Sequence, residues 1–278
     1  MKILLIGANG NLGEKIAHGL KHRGLDLHTV GRSDYNILSD DEMSLKGILT
    51  RINYDYVINC SALLGIMNCE IERAIAYNIN AKFTYQLTKY LNEDKTKIIH
   101  FSTSDIFHCN SMEEDHSERG TPCPTTWYGV TKLCGENFLS NYKNKLIIRL
   151  PLLFSVDMRN NKLTVNNLLN KLINNNEINV YDDVFSTPIP IEMIEPLLYK
   201  ILIKDNDLEL IHMSSDVNLS LYDFIKKLGS IKGLDVKKIK PISAAEKIDL
   251  IKPRFGGLES VNFPLINYDN MLTFFKGK

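Results

Sequence analysis

The chain opens on Lys2-Ile3-Leu4-Leu5-Ile6, a short and mostly apolar run that stops at Gly7. Such a run suits a strand buried on both faces of a parallel sheet. The next residues, Ala8-Asn9-Gly10-Asn11-Leu12-Gly13, lead into a segment where Ile16, Ala17 and Leu20 recur at helical spacing. A strand, a glycine turn and a helix N-terminus together form an anion site, because the first helical N–H groups lack partners and the dipole end is positive. Gly7 allows the sharp turn, Gly10 lets the backbone approach a pyrophosphate, and Gly13 lets helix and strand pack closely. Asn9, Asn11 and Leu12 complete the candidate phosphate loop. This feature narrows the fold to α/β and points to a dinucleotide.

The following strand, Leu25-Asp26-Leu27-His28-Thr29-Val30, ends in Gly31-Arg32-Ser33. An acid here would bind a ribose 2′-hydroxyl, whereas an arginine accommodates a 2′-phosphate. No acid ends this strand, so Arg32 and Ser33 favour NADP(H), with NAD(H) as the alternative. Asn36-Ile37, a few residues on, resembles in position an acid–hydrophobe pair that related proteins carry near the adenine, which would make it the adenine contact. Further strands are expected at Tyr56–Cys60, Ile98–Ser102 and Lys145–Arg149, with helices at Ala74–Leu91 and Tyr128–Tyr142 between them. This alternation predicts a Rossmann-type, doubly wound parallel sheet, with ligands outside the carboxyl ends of the strands. Ser61 and Ala62, just past the third strand, join the cofactor-binding set.

After Pro151 the pattern loosens. Asn166–Ile173, Ile191–Ile203 and Ser220–Leu228 look helical and Leu208–Met213 looks like a strand. We expect a dinucleotide-binding domain over 1–155 and a smaller C-terminal substrate-binding lobe over 156–278. Some later segments, including about 180–213, would return to the first domain. Lys+Arg and Asp+Glu are equal at 33 each, so no global field attracts nucleic acid or an anionic membrane. No apolar stretch reaches membrane-span length, and Met1–Ile6 is too short for a signal peptide, so a cytoplasmic protein is expected. Cysteines 60, 69, 109, 123 and 134 have no metal spacing and read as reduced thiols. Glu14, His18 and His22 share a helix face that reads as a solvated surface, so no metal is expected.

Tyr128 and Lys132 stand one helical turn apart, with Thr103 and Ser104 at the end of the fourth strand. A phenol titrates near pH ~10, so tyrosine needs tuning to exchange protons at neutral pH. A cation one turn along the same face would lower that value. Lys132 is also placed to donate to a nicotinamide ribose. Thr103 or Ser104 is placed to hydrogen-bond a substrate oxygen that alternates between carbonyl and alcohol. In reduction, hydride from the nicotinamide would be matched by a proton from Tyr128.

The G-x-x-G-x-x-G spacing, followed by Thr103 and the Tyr128/Lys132 pair, resembles an extended short-chain dehydrogenase/reductase. Within it, Ser102-Thr103-Ser104-Asp105-Ile106-Phe107, Glu114-Asp115, Pro124, Tyr128-Gly129-Val130-Thr131-Lys132 and Glu136 resemble the dTDP-4-dehydrorhamnose reductase branch. Asn78 falls where the superfamily has a helix asparagine, and Arg149-Leu150-Pro151 is similar to its fifth-strand exit. Asp183–Pro188 and the stretch from Lys252-Pro253-Arg254 to Leu258 are similar to two later loops of the branch. The resemblance implies reduction at C4 of a nucleotide-linked 4-keto-6-deoxy sugar, with Thr103 as the catalytic hydroxyl. It also implies Ser104, Asp105, Arg254 and Lys252 as substrate contacts. Ser104 replaces a common aspartate, and Val184 and Ser186 replace a glutamine and a glycine. Asp105 stands where a fucose-synthase-like relative has an epimerising cysteine, which argues against that chemistry. Two alternatives stay open: a 4-epimerase or 4,6-dehydratase with retained NAD(P), and a non-catalytic regulatory subunit of the same fold. A homodimer is also left open.

Overall fold

The computed structural model describes residues 1–107, 114–204, 207–245 and 254–277. They divide into two compact units, Met1–Ile106 with Pro124–Arg149 and Ile194–Ile211, and Phe107–Cys123 with Leu150–Met193 and His212–Lys278.

The first unit is built on strands β1 (Lys2–Ile6), β2 (Asp26–Val30), β3 (Tyr56–Asn59), β4 (Lys97–Thr103) and β5 (Lys145–Leu150). Its sheet runs in the order β2-β1-β3-β4-β5, and Leu210–His212 adds a sixth strand beside β5. The β1–β2, β1–β3 and β3–β4 pairings are parallel. Ile3–Ile6 and all of β3 are buried, which is why these strands read as apolar runs without alternation. The order reverses between β1 and β3, so the loops after these strands flank the switch point where such sheets bind ligands.

The flanking helices of this unit are α1 (Asn11–His22), α2 (Glu42–Thr50), α3 (Ile66–Ile71), α4 (Arg73–Tyr77), α5 (Phe83–Tyr90) and α6 (Trp127–Leu139). Between α4 and α5, Asn78–Lys82 forms a π turn, so the single predicted helix over 74–91 carries a local bulge. Thr126 caps α6 by accepting a hydrogen bond from Gly129 N–H at 3.0 Å. A fully enclosed ion pair, Arg149 Nη2 to Glu136 Oε2 at 2.7 Å, ties β5 to α6. Ile194–Lys204 is helical and lies on α1, where a Cβ on Gly19 would stand 2.3 Å from the Glu195 side chain.

The second unit has its own core of Phe154, Val165, Leu169, Phe224, Leu228 and Phe275. These side chains come mainly from helices Thr164–Ile173, Leu221–Ile231 and Tyr268–Lys276. A parallel pair, Ile178–Tyr181 with Ile239–Ile242, borders them. The helix at Tyr268–Lys276 was missed by the sequence pattern, although Asn267 caps it through Asn270 N–H. Among the described residues no helix is long and apolar enough to cross a membrane.

Candidate active site

The glycine loop forms the turn that its spacing predicts. Gly7 adopts φ +79°, and a Cβ there would lie 2.8 Å from the backbone of Cys60 and Ser61. The loops after β1 and β3 therefore meet backbone to backbone, which only glycine permits. A Cβ on Gly13 would lie 2.2 Å from Gly7 O, so α1 starts directly against the turn. Gly10 is the N-cap of α1 and supplies no side-chain cap, while Asn11 and Leu12 begin the helix half-buried. An uncapped helix start beside close-approaching glycines fits the phosphates of a dinucleotide. The exposed Asn9 side chain fills the space left by Gly31, where a Cβ would stand 2.4 Å from Asn9 Nδ2. Ser61 and Ala62 are half-buried at the same switch point.

Arg32 and Ser33 are exposed in the turn after β2. Asp34, which the sequence reading passed over, folds back to accept Gly31 N–H at 2.7 Å. Asn36 is engaged locally, with Oδ1 accepting Leu38 N–H at 3.1 Å, and Ile37 packs on the unit's core.

Thr103 is buried at the end of β4, and Ser104–Ile106 form a 3₁₀ turn against the start of α6. A Cβ on Gly129 would stand 2.2 Å from Asp105 O, so this glycine lets the two segments touch. Asp105 N–H donates to Thr103 Oγ1 at 3.2 Å, and Ser104 is buried. Tyr128, in the first turn of α6, stands close enough to Thr103 and Asp105 for both to act on its phenol. Thr103, Tyr128 and Asp105 thus converge.

The electrostatics differ from the sequence-based expectation. Burial, reinforced by the nearby Asp105 carboxylate, pushes the Tyr128 phenol well above its ordinary value, and the neighbouring Thr103 hydroxyl only partly offsets this. The reason is where Lys132 points. Its buried ammonium end donates to Phe101 O at 2.6 Å and lies 3.3 Å from His100 Nε2, toward β4. Burial lowers Lys132 to about 8.

Sequence reasoning missed two interior groups. Asn78 is only half-buried, whereas Asn80 is enclosed in the π turn. Asn80 Oδ1 accepts Leu63 N–H at 2.8 Å, and its Nδ2 donates to Thr131 Oγ1 at 3.0 Å, which ties the loop after β3 to α6. His100 lies fully buried in β4 between Asn59 and Lys132. No motif marked it.

In the second unit, Arg254 Nη2 pairs with Asp183 Oδ2 at 3.2 Å, its guanidinium carbon lies 5.4 Å from the Phe255 ring centroid, and Phe255 stacks on Phe185. Arg254 Nε is enclosed without a hydrogen bond. Against the opposing effect of burial, the N–H groups of Ala244 and Ala245, the Ser243 hydroxyl and Arg254 hold Asp183 below the ordinary carboxylate range. Lys252 lies outside the described residues. No metal-binding cluster occurs among the described residues.

A glycine cradle at the switch point of a parallel sheet, with a tyrosine and lysine one turn apart beside a strand-end hydroxyl, is the arrangement of a short-chain dehydrogenase/reductase. The family model described as the RmlD substrate binding domain matches residues 1–263, and the chain belongs to that family. It is 29% identical over 196 residues to the dTDP-4-dehydrorhamnose reductase of Escherichia coli K12, a match covering 70% of this chain and 64% of that relative's length. The crystal structure of a dTDP-4-dehydrorhamnose reductase from Clostridium acetobutylicum superposes with a TM-score of 0.83 at 26% identity, covering 93% of this chain and 90% of that one. The Bacillus anthracis dTDP-4-dehydrorhamnose reductase in complex with NADP shares the fold over 100% of both chains, with a TM-score of 0.88 at 22% identity.

Proposed function

We propose that the protein is an NADP(H)-dependent reductase of a nucleotide-linked 4-keto-6-deoxy sugar, acting in deoxysugar and surface-polysaccharide biosynthesis. The observation that carries this reading is the packing of the end of β4, with Thr103 and Asp105, against the start of α6, where Tyr128 stands beside both. In this reading the Gly7–Gly13 loop holds the cofactor phosphates, Arg32 and Ser33 the 2′-phosphate, and Ser61 and Ala62 the segment between. NADPH, when bound there, supplies a hydride. Thr103 orients the substrate C4 carbonyl oxygen, and Tyr128 Oη gives its proton to the alkoxide that forms. A phenol that stays protonated at neutral pH is in the form this direction needs. An epimerase or dehydratase cycle begins with oxidation and requires Tyr128 as a phenolate ready to take a proton, a form that the raised pKa keeps scarce at neutral pH. Lys132 holds the cofactor ribose, and Ser104, Asp105, Arg254 and Lys252 contact the nucleotide sugar. Support for the substrate class comes from the family membership and the relatives named above.

The test is incubation with NADPH and a panel of nucleotide-linked 4-keto-6-deoxy sugars. NADPH oxidised one-for-one with a C4 alcohol formed is the expected result. In a parallel arm without NADPH, nucleotide sugars bearing C4 and C6 hydroxyls test the alternatives: inversion at C4 identifies an epimerase, and loss of water to a 4-keto-6-deoxy sugar identifies a dehydratase. Sugar binding without turnover identifies a regulatory protein.

A further inference from the structure

Helix α6 carries Tyr128 at its second residue, so the proposed proton donor stands in the turn most open to fraying. Thr126 and Glu70 hold that turn. Thr126 is the N-cap, its hydroxyl accepting Gly129 N–H and its carbonyl accepting Val130 N–H at 2.9 Å. Glu70 lies 57 positions earlier than its partner, in α3, and its Oε1 accepts the backbone N–H of Trp127 at 2.7 Å. Trp127 is the first residue of α6, and a helix leaves that N–H without an internal partner. A carboxylate there also sits at the positive end of the helix dipole.

The contact is closed on its far side. Glu70 Oε2 accepts from Arg73 Nη2 at 2.8 Å, and Trp127 Nε1–H donates to Arg73 O at 2.9 Å. The Arg73 guanidinium carbon lies 5.5 Å from the centre of the Trp127 ring. The Trp127 N–H, aided by Arg73 against burial, holds Glu70 below the ordinary carboxylate range. The stretch leading into α3 is fixed as well. Ser61 and Ala62, in the candidate cofactor segment, are followed by Leu63, whose N–H donates to Asn80 Oδ1 at 2.8 Å and whose carbonyl accepts from Asn80 Nδ2 at 3.2 Å. One continuous segment, pinned at Leu63 and at Glu70, thus joins the end of β3 to the start of α6.

We propose that Glu70 is a positioning residue for Tyr128: by accepting Trp127 N–H it fixes the first turn of α6, and so the phenol, against the segment that follows β3. Glu70 acts through the backbone, whereas burial, Asp105, Thr103 and Cys69 act on the phenol itself. The role requires an acceptor at that reach rather than a charge. The inference deepens the reductase reading and rests on it for its effect on turnover.

Three substitutions in the full chain separate reach from charge. Glu70→Gln keeps an acceptor oxygen at the same reach and loses the charge, and the largely exposed Arg73 side chain can turn to solvent. Glu70→Asp keeps the charge and draws the acceptor back by a methylene. Glu70→Ala removes both. Turnover at saturating NADPH and sugar should stay within about threefold of the parent in Glu70→Gln and fall by about 10–100-fold in Glu70→Asp and Glu70→Ala, as misalignment of a reacting group does. The KM for NADPH should hardly move, because the glycine loop is untouched. A second readout needs neither cofactor nor substrate. Trp127 is the single tryptophan of the chain, so ¹⁵N-tryptophan labelling yields one backbone and one indole signal. The backbone N–H should exchange with deuterium faster by about tenfold or more in Glu70→Ala, as loss of a bond to a charged acceptor implies. A role in stability alone leaves the turnover of folded Glu70→Ala at the parent value. That result, a Glu70→Gln enzyme as impaired as Glu70→Asp, or unchanged Trp127 exchange in Glu70→Ala overturns the proposal. If Glu70→Ala does not fold, Glu70→Gln and Glu70→Asp decide by the same two readouts. Should the parent show no reductase activity, the exchange comparison still decides whether Glu70 fixes the start of α6, so the two readings fail separately.

Discussion

Replacing Lys132 by methionine should change how stability depends on pH, and the buried amine fixes both sign and size. Lys132 is 2% exposed and titrates at about 8 when folded, against 10.5 ordinarily. Between these values the unfolded chain binds more protons than the folded one, so unfolding free energy rises with pH. The slope approaches about 1.4 kcal/mol per pH unit in the middle of that window. Below pH 8 both states carry the charge and the destabilisation is fully present; above 10.5 both have lost it. Integrating the two titration curves gives a gain of about 2.5 kcal/mol between pH 7 and pH 10. At a single pH the comparison is ambiguous, because methionine removes the burial cost but also strips Phe101 O and His100 Nε2 of a partner, at about 1–3 kcal/mol each. The pH dependence separates the two effects, since the lost hydrogen bonds contribute a nearly constant offset. Urea unfolding of parent and Lys132→Met at pH 7, 8, 9 and 10 measures it, with every other titrating group common to both. The parent should gain about 2.5 kcal/mol relative to the variant across that range. Parallel curves would refute a buried, lowered Lys132.

Four further outcomes are expected. Tyr128→Phe should lower turnover by about 10²–10⁴-fold, as loss of a general acid does, with NADPH affinity by fluorescence titration little changed. Arg32→Ala should weaken NADPH by about 10–100-fold and NADH hardly at all, because only NADPH carries a phosphate for the guanidinium; equal losses would show that this exposed arginine does not read the phosphate. Glu136→Ala leaves the enclosed Arg149 guanidinium without its carboxylate and should cost about 3–5 kcal/mol in denaturant unfolding. Arg254→Ala should raise the nucleotide-sugar KM by about tenfold and leave NADPH affinity alone, since a charge-assisted contact is lost. Stability should hold in that variant because Asp183 keeps its bonds from Ser243, Ala244 and Ala245.

The features legible in the sequence are those in which the backbone itself imposes a residue type. Gly7 and Gly13 are required by a left-handed turn and by approaches of 2.8 and 2.2 Å, so their spacing announces the turn before any ligand is considered. The first-unit strands are equally plain, because burial on both faces leaves uninterrupted apolar runs at 3–6 and 56–59. The second unit gave a weaker signal. Its core rests on helices and two- to four-residue strands whose pairings, such as Ile178–Tyr181 with Ile239–Ile242, join segments about 60 positions apart. Short strands carry too few residues to establish a period.

The tyrosine–lysine pair shows where spacing stops being informative. An interval of four places two side chains on one helix face, and from that a lysine-lowered phenol follows. It says nothing about which way a four-carbon stem turns. Here the stem turns toward β4, because Phe101 O offers an acceptor at 2.6 Å and His100 stands within 3.3 Å. Those partners are set by β3–β4 register, which pairs Asn59 with His100, a contact across 41 positions of sequence. The same holds for Asn80, whose interior position depends on a π turn that shifts the helix face by one residue relative to a regular α-helix. The protonation states of the candidate site are therefore tertiary properties. Tyr128 owes its raised value to burial and Asp105, and Lys132 its lowered one to burial, although both residues stand in a motif of five.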